Sequence, residues 1–178
     1  MPRVIAVEID RCLGCHSCEL ACALAHSSAA SLYEALQQRP LPQPRVAVLA
    51  AGEGALPLQC RHCEDAPCVV ICPTKAMQKP DPEGPVTIDH ELCIGCKSCI
   101  LVCPFGVIAM SADGKTIIKC DMCIERLERG EEPACVSACP TRSLALMDVE
   151  AVAARARERT VAAALAAREE PVGSNVSS

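Results

Sequence analysis

The stretch Cys93–Pro104 reads CIGCKSCILVCP, with four cysteines in the spacing C-x2-C-x2-C-x3-C and a proline directly after the last of them. This spacing is typical of polypeptide runs that bind [4Fe–4S] clusters through cysteine thiolates. Three thiolates of a tight C-x2-C-x2-C loop can bind one cubane, and the fourth cysteine typically binds a second, neighbouring cluster. The stretch therefore predicts three ligands of one cluster and one ligand of another.

Three further groups of four cysteines repeat this pattern along the chain. The first group has the same spacing, the second widens one gap to four residues, and the fourth has an eleven-residue insertion before its last pair. Proline follows the last cysteine of the second, third and fourth groups, whereas Ala23 follows Cys22. No cysteine lies outside the groups, which are Cys12, Cys15, Cys18 and Cys22; Cys60, Cys63, Cys68 and Cys72; Cys93, Cys96, Cys99 and Cys103; and Cys120, Cys123, Cys135 and Cys139.

Other uses of these cysteines are disfavoured by their context. The first ten residues lack the basic and apolar regions of a signal peptide, which predicts a reducing cytoplasmic location and metal ligands rather than disulfides. The fourth group alone could bind zinc, but three cysteines within seven residues crowd a tetrahedral zinc in the first and third groups. No cysteine stands apart beside a base, so no catalytic residue is predicted. His62, between two cysteines, is predicted to pack or to form hydrogen bonds rather than to bind metal.

Composition and charge narrow the function further. The chain has 178 residues with one Phe, one Tyr and no Trp, so aliphatic side chains must pack around something other than aromatic rings. The formal net charge is −5, and four oxidised clusters with four thiolates each would bring it to about −13. This charge disfavours nucleic acid as a partner. No run of eighteen apolar residues exists, so no membrane span is predicted.

Short strands and two helices are predicted between and beyond the cysteine groups. Three hairpins are expected around turn residues, and two further strands at the ends of the cysteine-rich region. Helices are expected at Ser31–Gln38 and, from its Ala, Arg and Glu content, at Val149–Glu170, followed by a frayed Gly173–Ser178. The predicted strands are Val4–Glu8, Arg45–Ala50, Leu56–Gln59, Ala76–Lys79, Val86–Asp89, Val107–Ser111, Thr116–Lys119 and Leu144–Asp148.

The spacing between groups predicts which of them share clusters. A hairpin-sized segment, Pro73 to Leu92, separates the second and third groups, as in a two-cluster bacterial ferredoxin whose loops exchange their last cysteines. If these two groups pair, the first and fourth pair with each other. The four predicted ligand sets are then Cys12, Cys15, Cys18 and Cys139; Cys22, Cys120, Cys123 and Cys135; Cys60, Cys63, Cys68 and Cys103; and Cys72, Cys93, Cys96 and Cys99.

The predicted fold class is α+β, with two bacterial-ferredoxin-like units related by approximate two-fold symmetry and nested around four [4Fe–4S] clusters. Unit A comprises residues 1–22 plus 104–148, and unit B residues 45–103. Residues 23–44 form a connecting insertion, and residues 149–178 a carboxy-terminal helix and tail. Because clusters replace much of the hydrophobic core, the chain without iron is predicted to be largely unfolded.

Four runs of sequence resemble the four-cluster electron-transfer subunits of the dimethyl-sulfoxide-reductase, formate-dehydrogenase and formate-hydrogenlyase type. The similarity extends over roughly Val4 to Asp148, and the nested pairing of that family agrees with the sets above. The runs are QCRHCEDAPC (Gln59–Cys68), CIGCKSC (Cys93–Cys99), KCDMC (Lys119–Cys123) and PACVSACPT (Pro133–Thr141).

The resemblance implies outer-sphere electron transfer beside a partner that carries out the chemistry. The favoured partner is a tungsten or molybdenum enzyme, such as an aldehyde oxidoreductase or formate dehydrogenase, followed by carbon monoxide dehydrogenase and hydrogenase. The second redox partner would be a flavin subunit, a hydrogenase or another copy of this chain. Two other functions are less favoured. A freely diffusing polyferredoxin would need fewer than four clusters, and a sensor would need an effector domain.

Charges near the clusters are candidates for tuning their redox potentials. Lys97, Lys119, Arg126 and Arg142 lie next to or within three residues of cysteines. A charge at such a position is more commonly an ordinary solvated side chain, so the sequence leaves both interpretations open for each of the four.

Overall fold

The computed structural model describes residues 3–169 of the chain. In this part of the chain the strands form four two-stranded antiparallel sheets, which pair β1 with β8, β2 with β3, β4 with β5 and β6 with β7. The strands are β1 (Arg3–Val7), β2 (Ala47–Ala51), β3 (Gly54–Leu58), β4 (Met77–Gln78), β5 (Thr87–Ile88), β6 (Ala109–Met110), β7 (Ile117–Ile118) and β8 (Leu144–Asp148).

The three predicted hairpins are confirmed; five of their six strands are shorter than predicted, and β3 is one residue longer. In the first hairpin, Gly54 pairs with Ala51, so only Gly52 and Glu53 form the turn between the strands. Arg45 lies outside β2 because its backbone N–H donates to Cys22 Sγ at 3.2 Å instead of to a neighbouring strand. The β4–β5 and β6–β7 hairpins have only two paired residues in each strand. Their stability must therefore come from what they pack against.

The two terminal strands of the cysteine-rich region pair with each other. Arg3 lies opposite Asp148 and Val7 opposite Leu144. Beyond the strands, the N–H of Glu8 donates to the carbonyl of Ser143 at 2.8 Å, and the Ser143 hydroxyl donates to the Glu8 carbonyl at 2.8 Å. This pairing joins the two ends of the cysteine-rich region, and it places the first cysteine group beside the fourth.

Seven α-helices and one 3-10 turn (Ile9–Arg11) connect these strands in the described residues. Six of the helices are four to nine residues long, and five of these, all but α2 (Leu32–Gln37), lie within or directly after a cysteine group. The short helices and small sheets together make the fold α+β. The helices are α1 (Ser17–Ala25), α2 (Leu32–Gln37), α3 (Pro67–Val70), α4 (Ser98–Val102), α5 (Ile124–Glu128), α6 (Ala134–Ser137) and α7 (Val149–Glu169).

The residue after the last cysteine sets the length of two equivalent helices. Pro104 follows Cys103, and α4 ends at Val102, because the residue before a proline avoids helical backbone angles. Ala23 follows Cys22, and α1 continues through it to Ala25. The absent proline thus adds about one helical turn, which carries His26 to a position beside Cys22.

Both helices predicted from sequence are present. Ser31 caps α2, and its hydroxyl accepts the N–H of Glu34 at 3.3 Å. Helix α7 packs on β8 and β1 through few side chains, and Arg159 donates to Glu8 at 2.8 Å. The predicted last helical residue, Glu170, and the frayed Gly173–Ser178 lie outside the described residues. No helix within residues 3–169 is long and apolar enough to cross a membrane.

The buried side chains form two separate cores, and cysteines belong to both. One core surrounds Cys18, Cys22 and Cys135 and lies next to the β1–β8 sheet. The other surrounds Cys68 and Cys99 and includes side chains of the two shortest hairpins. Each core is small and aliphatic, so the thiols contribute much of the buried surface.

Candidate metal centres

The loops of the first and third groups share one backbone conformation. Gly14 and Gly95 have φ angles of 63° and 64°, and the residues after the next cysteine, His16 and Lys97, have φ angles of 59° and 67°. A Cβ at Gly95 would lie 2.3 Å from the carbonyl oxygen of Lys115, so only glycine fits there. Left-handed angles at non-glycine residues are uncommon and indicate a functional constraint. Here they turn the chain so that successive thiols can converge.

The loops of the second and fourth groups also match each other. His62 and Met122 follow the first cysteine by two residues and have φ angles of 49° and 61°. The N–H of His62 donates to Cys60 Sγ and that of Met122 to Cys120 Sγ, both at 3.4 Å. Backbone N–H groups directed at ligand sulfurs stabilise thiolates and raise cluster potentials.

The last cysteines of these two groups are likewise equivalent. Cys72 Sγ lies 3.8 Å from Thr74 Oγ1, and Cys139 Sγ lies 3.7 Å from Thr141 Oγ1. The pKa of each of the two thiols is lowered, because hydrogen bonds from backbone and threonine groups outweigh the opposing effect of burial. Both sulfurs are therefore prepared to act as thiolate ligands.

Two cavities are each lined by four thiols from different groups. One is lined by Cys12, Cys15 and Cys18 of the first group together with Cys139 of the fourth. The other is lined by Cys93, Cys96 and Cys99 of the third group together with Cys72 of the second. The fourth thiol thus comes from a group distant in sequence at both cavities.

Among the other eight thiols, Cys22 lies near thiols of the fourth group, and Cys103 lies near a thiol of the second group. Burial is the largest cause of the raised pKa of the Cys135 thiol. The nearby charges of Cys120, Cys22 and Cys123 raise it further. Charges on Cys60 and Cys103 act on the thiol of Cys68, whose pKa is also raised chiefly by burial. The chain therefore brings Cys22 to the fourth group and Cys103 to the second.

The donor chemistry fits [4Fe–4S] clusters. All sixteen cysteines are free, so none is used in a disulfide. Burial raises the pKa of Cys18 and Cys99 to about 11, which makes a buried thiolate unfavourable unless a cation accompanies it. Iron supplies that cation, and four thiols around one cavity match the four iron corners of a cubane.

His62 is not available as a metal ligand through Nδ1. That atom accepts the backbone N–H of Val86 at 3.0 Å. Burial and then the charge of Lys119 lower the pKa of His62 to about 3, so the ring is neutral. The prediction that His62 packs or forms hydrogen bonds agrees with this contact.

Three polar side chains beside Cys22 were not identified from sequence. His26 Nδ1 donates to the carbonyl of Cys22 at 2.8 Å, and its Nε2 donates to Asp121 Oδ1 at 3.1 Å. Arg45 donates to the other oxygen of Asp121 at 2.5 Å. Burial lowers the pKa of His26, but hydrogen bonds with Asp121, Cys123 and Cys22 raise it to about 12. Burial favours neutral Asp121, yet His26 and Arg45 hold its pKa well below the usual range.

We expect Asp121→Asn to destabilise the loaded protein, because it leaves His26 and Arg45 without their anion. About a quarter of the Asp121 side chain is exposed, so the loss should be near 2 kcal/mol, on the order of one charged hydrogen bond. That corresponds to a fall of roughly 4–8 °C in the temperature at which the visible cluster absorbance disappears.

Glu131→Gln is the matched control for this change. Glu131 also accepts from two cations, Arg126 at 3.0 Å and Arg129 at 2.8 Å, but its side chain is 41% exposed. Exposed ion pairs contribute little to stability, so this variant should lower the same temperature by clearly less than Asp121→Asn does. Equal shifts in the two variants would contradict a structural role of the Asp121 network.

The four candidate tuning charges differ in their surroundings. Lys97 and Arg142 are exposed, and Arg126 is partly exposed and pairs with Glu131. These three agree with the solvated interpretation. Lys119 is different, because it is 1% exposed, and it is the largest of the fully buried side chains in the described part of the chain.

Short helices, small sheets and two cavities that are each lined by four free thiols define an iron–sulfur protein of the electron-transfer class. The 4Fe-4S dicluster domain family matches residues 54–149, and the 4Fe-4S binding domain family matches residues 9–25. The chain belongs to the 4Fe-4S dicluster family of iron–sulfur electron-transfer subunits, and it binds multiple [4Fe–4S] clusters.

Several relatives match nearly the whole chain. An "Iron-sulfur protein" of Rhodospirillum rubrum is 41% identical over 87% of this chain and 87% of its own length. "Electron transport protein HydN" of Escherichia coli is 34% identical over 90% of this chain and 98% of its own. "Formate hydrogenlyase subunit 2" of Escherichia coli is 34% identical over 90% of each. In two longer putative oxidoreductases of Escherichia coli, the chain spans only 22% and 28% of the relative's length.

Proposed function

We propose that this chain carries single electrons through four [4Fe–4S] clusters between a catalytic oxidoreductase subunit and a second redox partner. The observation that carries the proposal is the pair of cavities that are each lined by four free thiols from two cysteine groups. When bound, the clusters supply one-electron carriers. The chain's own residues provide the ligands, the hydrogen bonds to sulfur and the burial that sets the potentials.

The four ligand sets are the nested ones. The two cavities and the mutual effects of the thiol charges support them, as does the equivalence of the loops in pairs. Cys15 and Cys96 have the same surroundings, since hydrogen bonds with Ser17 and Ser98 lower their pKa values. We also propose on this basis two ferredoxin-like units with approximate two-fold symmetry, formed by residues 1–22 plus 104–148 and by residues 45–103.

The outer and inner sets differ in exposure. Cys15 and Cys96 are exposed, and they belong to the sets completed by Cys139 and Cys72. In contrast, Cys22, Cys120, Cys123 and Cys135 are all buried, and in the set of Cys60, Cys63, Cys68 and Cys103 one cysteine is buried and three are half-buried. We therefore name the sets containing Cys15 and Cys96 the outer sites and the other two the inner sites. Electrons would enter at one outer site and leave at the other.

Exposed aliphatic side chains beside the outer sites support contact with partner proteins there. Leu13 is 73% exposed beside Cys12, and Ile94 is 65% exposed beside Cys93. Two docking surfaces at different parts of the molecule suit an electron conduit better than a carrier with one partner. The chain itself has no catalytic role in this proposal.

The partner is proposed to be a molybdenum or tungsten oxidoreductase, such as a formate dehydrogenase or an aldehyde oxidoreductase. The name of one relative, a formate hydrogenlyase subunit, supports a place in an oxidoreductase complex. Carbon monoxide dehydrogenase or hydrogenase is the second candidate partner. The second redox partner would be a flavin subunit, a hydrogenase or another copy of the chain.

Iron analysis combined with reductive titration tests the proposed function. Protein purified without oxygen should contain about sixteen iron and about sixteen acid-labile sulfide per chain, and should accept about four electrons. A zinc-loaded fourth group would lower the iron content to near twelve, and a three-iron cluster to near fifteen. Either shortfall in freshly isolated protein would contradict four cubanes.

A further inference from the structure

Lys119 is a buried cation whose known partners are neutral. Its Nζ donates to the backbone carbonyls of Val86 and Cys120, the latter at 2.6 Å. The ion pairs found within residues 3–169 do not include it. A buried ammonium group is strongly unfavourable unless negative charge lies nearby. The carbonyl dipoles satisfy its hydrogen bonds but do not neutralise its charge.

The position of Lys119 Nζ is between the two inner sites. One of its acceptors is the carbonyl of Cys120 itself, a ligand of the inner site in unit A. The other belongs to Val86, which packs in the same core as Cys68 and whose N–H donates to His62 in the second cysteine loop. Lys119 therefore joins a ligand loop of one unit to a ligand loop of the other.

The electrostatics of the two loops agree with this position. The positive charge of Lys119 acts on the sulfur of Cys68 and on the sulfur of Cys120. These two cysteines belong to different ligand sets. One ammonium group thus acts on both inner sites.

We propose that Lys119 is a positioning residue that serves as the shared counter-cation of the two inner cluster sites, Cys22/Cys120/Cys123/Cys135 and Cys60/Cys63/Cys68/Cys103. The proposal rests on the nested ligand sets of the proposed function. An oxidised cluster with four thiolates carries a formal charge of about −2, so two inner clusters supply the negative charge that Lys119 otherwise lacks. One-electron reduction makes a site more negative by one charge, and a fixed cation favours that reduced form.

The consequence is a higher redox potential at both inner sites than they would have without the cation. Electrons would then be held preferentially at the inner sites rather than at the outer sites, which contain the exposed Cys15 and Cys96. A buried charge is screened little by salt, so the effect should persist at high ionic strength.

Lys119→Met tests the proposal, because methionine retains an unbranched chain and removes the charge. The measurement is a potentiometric titration of the purified four-cluster protein followed by electron paramagnetic resonance. We expect the reduction equilibrium constants of two of the four sites to fall by about tenfold, which is about 59 mV for a one-electron couple. The outer sites should hold their potentials, and Lys119→Arg should retain most of the wild-type values at all four sites.

Lys79→Met is the matched control. Lys79 Nζ also donates to two backbone carbonyls, those of His62 and Cys63, each at 3.0 Å, but it is partly exposed and contacts only unit B. Its loss should shift at most one site, and by less than the loss of Lys119. Four unchanged potentials in a fully loaded Lys119→Met protein would overturn the proposal while leaving the proposed function intact.

Lys119→Gln covers the case in which the methionine variant loads poorly. Glutamine keeps an N–H donor for the carbonyls but carries no charge, so its two inner potentials should fall as in Lys119→Met. If both neutral variants lose iron from the inner sites alone while Lys119→Arg loads fully, the counter-cation role is supported. Equal loss of iron in all three variants would overturn it, because a purely structural need for lysine would then explain the data.

Discussion

Removal of iron and sulfide by chelation under denaturing conditions, followed by return to buffer, is expected to leave the chain largely unfolded. Its hairpins have strands of two to five residues, and most of its helices are too short to be stable alone. The cores that hold them together contain the ligand thiols. The radius of gyration should therefore rise from about 16 Å toward about 45 Å.

Circular dichroism provides the control for this result. Helix α7 (Val149–Glu169) has no cysteine and 21 residues, so part of its helical signal should survive without iron. A chain ending at Asp148 should lose that residual signal, and it should regain a compact form when clusters are reconstituted. An iron-free protein that keeps a radius near 16 Å would contradict a core built on clusters.

Cys139→Ser is expected to disrupt the site that contains Cys12, although more than a hundred residues separate the two. Loss of one ligand should remove about one iron, or about four if the whole cluster is lost. Double variants distinguish the nested ligand sets from an arrangement in which each cysteine group binds its own cluster. Cys12→Ser combined with Cys139→Ser should lose no more iron than the more severe single variant, because both residues serve one site.

Cys135→Ser combined with Cys139→Ser is the matched comparison. These residues are four positions apart, but the nested sets assign them to different sites, so their iron losses should add. The equivalent test in unit B combines Cys60→Ser with Cys103→Ser, for which non-additive losses are expected. Additive losses for Cys12 with Cys139, together with non-additive losses for Cys135 with Cys139, would show that each group binds its own cluster.

Much of the local structure could be predicted from the sequence, because local features determine it. The turns beside Gly52 and Gly114 sit between short apolar segments, and hairpins form at both places. Helix α7 follows from composition alone. The helices inside the cysteine groups, such as α3 and α6, have four residues each, which is too short for an apolar period to be recognised.

Cys22 is the last cysteine of its group but is not followed by proline. The structural consequence of this difference is visible only in the folded chain. Without a proline the helix continues, and His26 meets Asp121, which is 95 positions away. No spacing in the sequence relates these two residues. A lone histidine after an alanine-rich helix carries no signal of an ionic partner.

The sequence by itself predicted the cysteine ligands and their grouping, and it determined the hairpins between them and the membership of an iron–sulfur family. These follow from spacing and turn chemistry, which act over a few residues. Tertiary structure alone decided which cysteines are exposed and which charges are buried. Lys119 resembles three other basic residues near cysteines in sequence, yet only its Nζ reaches a carbonyl 33 positions away and becomes enclosed. Burial and shared charge depend on segments that fold together from distant parts of the chain, so no local pattern encodes them.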